Sequence, residues 1–220
     1  MTDPTGTYSF TVQAVNAGPP IATVTQALTL KINPWFTDTT PNNLPGGTEG
    51  TAYTTNISAT GGIAPYTFQY LPGPGSQTPP GLGVVTLNAT TAQLTGTPTT
   101  AGNYQFSVQA SDSSAPPQVY FITFFVTILP QPPTSLTGTN GGNFNTFLNW
   151  TASTAADVAG YRVHRGTSPG TYTTTINLSS PVTSYNDQGL TSGTYYYVVT
   201  TVSTSGVESV FSNQVQVIIP

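Results

Sequence analysis

Chemistry in this chain would have to pass through very few side chains. There is one histidine, His164, no cysteine, three basic residues (Lys31, Arg162 and Arg165) and seven acids. A Ser-His-Asp relay would need His164 as its base. Tyr161 and Val163 share one face of a strand, which puts His164 on the other face, in a solvated position. Zinc needs three or four His, Cys or carboxylate ligands brought together, and the acids are scattered from Asp3 to Glu208. No sequence feature pairs two carboxylates as a glycosidase requires. Calcium wants clustered oxygen ligands in a defined loop. Asp112 stands alone after its strand, with no Asp-x-Asp series near it, and reads as a turn residue whose side chain caps backbone N–H groups. Arg162 and Arg165 flank His164 and read as surface charge, and Arg165-Gly166-Thr167 is not an Arg-Gly-Asp tripeptide. Asn56, Asn88, Asn149 and Asn177 open Asn-x-Ser/Thr sequons, which a Thr- and Ser-rich chain acquires by chance. The expectation is no catalytic residue, no metal ligand set and no cofactor.

Composition narrows the partners. Charged residues are 5% of the 220 and the net charge is −4, against about 25% charged in ordinary soluble domains. Nucleic acid needs several Lys or Arg on one face, and a polybasic membrane patch fails on the same count. The longest apolar run, from Val119 to Ile128, has strand length, well short of the roughly 20 residues of a membrane-crossing helix. Met1-Thr2-Asp3-Pro4 shows neither the basic start nor the apolar core of a signal peptide. Without cysteine there is no disulfide framework, so each unit must bury a core of its own. Solubility falls to Thr, Ser, Asn and Gln, a style that suits an extracellular or cell-surface protein.

The elements that would position any site are strands. With 22 Gly and 20 Pro breaking up β-branched and aromatic runs, long helices have no room. Tyr104, Phe106, Val108 and Ala110 alternate with Gln105, Ser107 and Gln109, and Tyr120, Ile122, Phe124, Val126 and Ile128 share one face of the next run. Thr5-Gly6-Thr7-Tyr8-Ser9-Phe10-Thr11-Val12-Gln13-Ala14 returns 96 residues later as Ala101-Gly102-Asn103-Tyr104-Gln105-Phe106-Ser107-Val108-Gln109-Ala110. The register holds without a gap, pairing Leu28 with Phe124 and Ile32 with Ile128. A period of that length means whole-domain repeats. Residues 1–34 therefore read as the last two strands of a domain, 35–131 as a complete copy, and 132–220 as a further unit. Asn33-Pro34 and Pro130-Gln131-Pro132-Pro133 mark short, stiff joints, so the expected shape is elongated.

The repeat resembles the Ig-like repeat modules, known as putative Ig, of bacterial surface proteins. The likeness rests on Leu94-Thr95-Gly96-Thr97-Pro98-Thr99-Thr100-Ala101-Gly102-Asn103-Tyr104, with Gly61-Gly62-Ile63-Ala64-Pro65-Tyr66 and Pro80-Gly81-Leu82 upstream. Residues 132–220 resemble a fibronectin type III domain, on Pro132-Pro133-Thr134-Ser135-Leu136, Leu148-Asn149-Trp150, Val158 to Gly166, and Leu190-Thr191-Ser192-Gly193-Thr194-Tyr195-Tyr196. The resemblance implies an all-β fold of tandem Greek-key sandwiches, with Trp150 in the second core. It also implies a tyrosine corner, a buried phenol bonding local backbone, carried by Tyr195, Tyr196 or Tyr197.

One surface stands out. Opposite the core stripe the first copy reads Thr25, Ala27, Thr29, Lys31, while the second reads Phe121, Thr123, Phe125, Thr127. Exposed contiguous aromatics mark contact surfaces. Phe121 and Phe125 either pack on a neighbouring domain or the loop from Leu71 to Pro80, or meet another molecule. The expected role is a non-catalytic structural or adhesive module of an exported bacterial protein, with protein partners or self-association through the N-terminal hairpin. Its competitors are a carbohydrate- or polymer-binding accessory segment of a secreted hydrolase and a phage tail or fibre segment. Both tryptophans are expected elsewhere, Trp150 in the core and Trp35 at a domain joint, which counts against sugar binding.

Overall fold

Period-two alternation becomes strands throughout, with no helix among the described residues. The structure, a computed structural model, describes residues 5–220; Met1 to Pro4, which carry no signal-peptide pattern, lie outside them. The chain opens with β1 (Gly6–Val15) and β2 (Thr23–Ile32), an antiparallel pair that forms a sheet by itself.

Eight strands follow: β3 (Thr37–Asp38), β4 (Gly47–Thr48), β5 (Tyr53–Thr60), β6 (Thr67–Leu71), β7 (Leu82–Thr86), β8 (Thr91–Gly96), β9 (Gly102–Ser111) and β10 (Val119–Leu129). They build one sheet in the order β3-β5-β8-β7 and another in the order β4-β10-β9-β6. This is the two-sheet Greek-key arrangement that the Ig-like resemblance implies. The inward residues of both sheets, among them Ile57, Leu94, Phe106, Val108, Phe124 and Ile128, form one buried cluster. Phe106 and Phe124 meet at 5.5 Å between ring centroids. The Thr-Gly-Thr-Pro and Pro-Gly-Leu motifs have a steric cause. Gly81 and Gly96 bring two backbones so close that a Cβ on either would stand 2.1 Å from a carbonyl oxygen of the other segment, and both have positive φ.

The last seven strands are β11 (Thr134–Gly142), β12 (Asn145–Thr151), β13 (Val158–Gly166), β14 (Thr174–Leu178), β15 (Ser184–Asp187), β16 (Gly193–Ser203) and β17 (Val215–Ile219). They form sheets β11-β12-β15 and β14-β13-β16-β17. Trp150 is buried in the second core, edge-on to Tyr161 at 5.6 Å. Pairing of the last strand starts at Val215, two residues beyond Asn213. Asn213 instead uses its side chain, accepting from Leu136 N at 2.8 Å and donating to Leu136 O at 2.8 Å, in place of a ladder rung. The tyrosine corner is Tyr195: its hydroxyl donates to Thr191 O at 3.1 Å and accepts from Thr191 N at 3.2 Å. The first sandwich repeats the device, with Tyr104 donating to Thr100 O at 3.0 Å.

Candidate functional site

The hairpin of β1 and β2 has the register of β9 and β10 shifted by one repeat. Gly6 pairs with Ile32 as Gly102 pairs with Ile128, and Phe10 faces Leu28 as Phe106 faces Phe124. In the second copy these side chains are sealed between two sheets. In the first, Phe10 is 49% exposed, and Val12, Val24, Leu28 and Leu30 are exposed as well. In the second copy β9 also carries β6 on its open edge and β10 carries β4. Among the described residues neither edge of β1–β2 pairs with a further strand. The result is an apolar strand face and two unpaired backbone edges, the raw material of strand addition.

Phe121 and Phe125 lie where the alternation puts them, on the outer face of β10. They are 65% and 44% exposed, so neither the neighbouring sandwich nor the Leu71–Pro80 loop covers them. They stand opposite Gln109 and Gln105 of β9, with the hydroxyls of Thr123 and Ser107 3.2 Å apart between them. Trp35 departs from expectation: it is 78% exposed rather than committed to a joint. Phe36, not Trp35, turns inward against Tyr66, at 4.8 Å between centroids.

His164 also departs from expectation, for it is not solvated. A segment 44 residues downstream folds over it: Nε2 lies 3.0 Å from Glu208 Oε1 and 3.0 Å from Thr200 Oγ1, and the ring meets Phe211 edge-on at 5.2 Å. Arg162 pairs with the same Glu208. Burial pushes the Glu208 carboxyl up, but the Thr200 hydroxyl and the Arg162 guanidinium, with the charges of Arg162 and His164, outweigh it and hold the group below its ordinary value. Thr, His and Glu together suggest a nucleophilic relay, but the geometry is wrong for one. Thr200 is buried and spends its proton on Glu208 Oε1 at 2.5 Å, so no substrate carbonyl reaches its oxygen.

Arg165 is likewise not ordinary surface charge. Its Nη1 reaches both oxygens of buried Asp187, at 3.0 and 2.8 Å, and Tyr197 donates to Asp187 Oδ2 at 2.9 Å. This triad ties β13 and β16 of one sheet to β15 of the other. Burial is the main force pushing the Tyr197 phenol up. Asp112 does cap backbone, as its loop position suggested. Oδ2 accepts from Ile63 N at 2.9 Å, and Oδ1 accepts from Gln118 N at 2.6 Å, the Ser114 hydroxyl at 2.6 Å and Ser114 N at 3.2 Å. Burial raises its carboxyl, and these four bonds together bring it below the ordinary value. Nothing in the sequence pointed to Glu208 or Asp187, because their partners are set by tertiary packing.

Residues 36–129 match the family model described as Putative Ig domain. An Fn3-like protein from Clostridium thermocellum is 35% identical over 41% of this chain and 94% of its own, with a TM-score of 0.36. A two-domain fibronectin type III segment of chicken tenascin is 12% identical over 86% of this chain and 100% of its own, with a TM-score of 0.45. No curated protein matches. No helix among the described residues is long and apolar enough to cross a membrane.

Proposed function

From a chain that belongs to the Ig-like and fibronectin type III class of tandem β-sandwich proteins, we propose a non-catalytic module of an exported, extracellular or cell-surface protein, a spacer that also makes protein contacts. Residues 35–131 and 132–220 serve as the spacer units. The hairpin within residues 1–34 is the contact element, and a second copy of this chain is its partner.

The observation that carries this reading is the shared register of the two hairpins, one sealed in a core and one open. A face built to be covered, free of charged side chains because Lys31, the one charge across both strands, stands opposite Thr7 on the other face, is matched by the identical face of another copy in a two-fold, self-complementary contact. A lone hairpin is marginal in water, so pairing also stabilises it. Light scattering coupled to size exclusion at micromolar concentration tests this. The parent chain runs as a dimer and Phe10→Asp, which puts a charge opposite Leu28, runs as a monomer. Two monomeric profiles would overturn self-association. A dimer that survives Phe10→Asp would place the contact elsewhere.

The exposure of Phe121, Phe125 and Trp35 favours a second reading, a carbohydrate- or polymer-binding accessory segment, since exposed rings stack on sugar faces. Retardation in polysaccharide gels, abolished by Phe121→Ala with Phe125→Ala, distinguishes it. A phage tail or fibre segment would share the dimer but not the retardation.

A further inference from the structure

The strand seated on the hairpin of the complete repeat shows what the open hairpin can take. In the complete repeat β6 runs antiparallel along β9, with Thr67 opposite Ser111 and Leu71 opposite Ser107. Its apolar side chains, Phe68 and Tyr70, pack on the core beside Ala110 and Val108. One repeat earlier the same stretch of edge is Thr11 to Val15 of β1, with Val12 and Ala14 in the places of Val108 and Ala110. A segment that fits it is extended and uncharged, with polar and aromatic residues in alternation. β1 carries such a segment itself: Thr7-Tyr8-Ser9-Phe10-Thr11 has the pattern of Thr67-Phe68-Gln69-Tyr70-Leu71.

Laid in the β6 register on another chain of this protein, that segment puts Thr7 opposite Val15, Tyr8 opposite Ala14, Ser9 opposite Gln13 and Phe10 opposite Val12, and Thr11 meets Thr11. The register maps onto itself about a two-fold axis at Thr11, so both chains gain the same ladder. Each inward pair sets a ring beside a smaller side chain, as Phe68 with Ala110 and Tyr70 with Val108 do. The hydrogen-bond phase agrees. On β9 the odd-numbered residues turn to the edge, since Ser107 N donates to Ser76 Oγ at 3.0 Å and Gln77 N donates to Gln105 O at 2.7 Å. On the open hairpin Asn16 N donates to Ala22 O at 3.0 Å, so even-numbered residues face β2 and Ser9, Thr11 and Gln13 face the edge. Neither a charge nor a proline nor a bulge lies between Thr7 and Val15 to block pairing, whereas β2 carries Lys31. We propose that the β1 edge is a strand-addition site for β1 of a second chain, paired antiparallel about Thr11. This rests on the reading of the hairpin as the contact element and deepens it. Face-paired dimers joined along β1 bring four hairpins into two four-stranded sheets, the strand count of the complete sandwich.

The chain has no cysteine, so the test is the full chain with Thr11→Cys, mildly oxidised and resolved on a non-reducing gel. Residues of a hydrogen-bonded antiparallel pair lie about 5.5 Å apart at Cα, within the roughly 4.4–6.8 Å that a disulfide spans. Thr11→Cys should give a covalent dimer that reductant reverses. Ser9→Cys and Gln13→Cys should each run as single chains, because like residues there lie about 14 Å apart along the ladder, and should cross-link when mixed. A face contact alone puts the Thr11 side chains on the outer sides of two sheets about 10 Å apart, so it yields no such bond. Absence of the Thr11→Cys cross-link, or equal cross-linking of Ser9→Cys alone, would overturn the edge pairing. Thr11→Pro deletes the N–H at the axis and leaves the bonds to β2 in place. In concentrated solution the parent should pass from two chains to four by light scattering, while Thr11→Pro stays at two. A Thr11→Pro chain that assembles as the parent does would overturn the site. A Thr11→Cys cross-link, with a parent that never exceeds two chains, would keep the edge contact and remove the face contact.

Discussion

Asp112→Asn is the most decisive change to the first sandwich, because one atom is exchanged in a fully connected loop. The carboxylate receives four hydrogen bonds, which together hold residues 63, 114 and 118 around the end of β9. The amide can keep its oxygen toward Gln118 and Ser114, but its NH2 then faces the N–H of Ile63, donor against donor. One charge-assisted bond is lost outright and the other three become neutral ones, for a cost of about 2–4 kcal/mol. Relaxation is blocked on one side: Gly62 backs so closely onto the carboxylate that a Cβ there would lie 2.5 Å from Oδ2. In a unit of this size, differential scanning calorimetry should show the transition of residues 35–131 about 10–20 °C lower at neutral pH, with the second transition unmoved. The pH dependence follows from the sign of the shift. The folded carboxyl lies below its ordinary 3.8, so its contribution is complete above that value and fades as pH falls through the folded one. The gap between parent and variant must therefore narrow in acid. A variant that melts with the parent at neutral pH, or a gap that stays as wide well below 3.8, would refute the argument.

Two further outcomes probe the second sandwich. Trp150→Ala empties a buried site against Tyr161 and should cost about 3–5 kcal/mol, unfolding residues 132–220 while the first transition persists; a joint collapse of both in calorimetry would show that the cores are not independent. Tyr195→Phe removes the corner bonds to Thr191 and should lower the urea midpoint by the equivalent of about 1–2 kcal/mol, whereas Tyr196→Phe, with its ring on the outer face, should stay within about 0.5 kcal/mol of the parent.

What was legible in this sequence shared one property, a period or a local turn chemistry. Alternation located β9 and β10 and the outward pair Phe121 and Phe125. The 96-residue repeat located the hairpin and its register, and a lone Asp after a strand located a cap. What escaped was decided by partners far along the chain. His164 stands on the face that alternation predicted, yet it is covered because residues 206–212 return across β16 and lay Glu208 and Phe211 on it. Asp187 looks like any turn acid until β15 brings it under Arg165. Tyr195 could not be told from its neighbours because three consecutive tyrosines leave the phase of the pleat undetermined, and only the pairing of Tyr195 with Val217 fixes which ring turns inward. Glu49 and Ala156 meet across 107 residues, through a joint whose geometry depends on two folded cores and a proline-marked linker. In a chain with three basic residues such contacts weigh more than usual. Each acid that takes an arginine leaves another without one: Arg162 is spent on Glu208 and Arg165 on Asp187, and at the joint burial instead pushes the Asp157 carboxyl up, toward its neutral form.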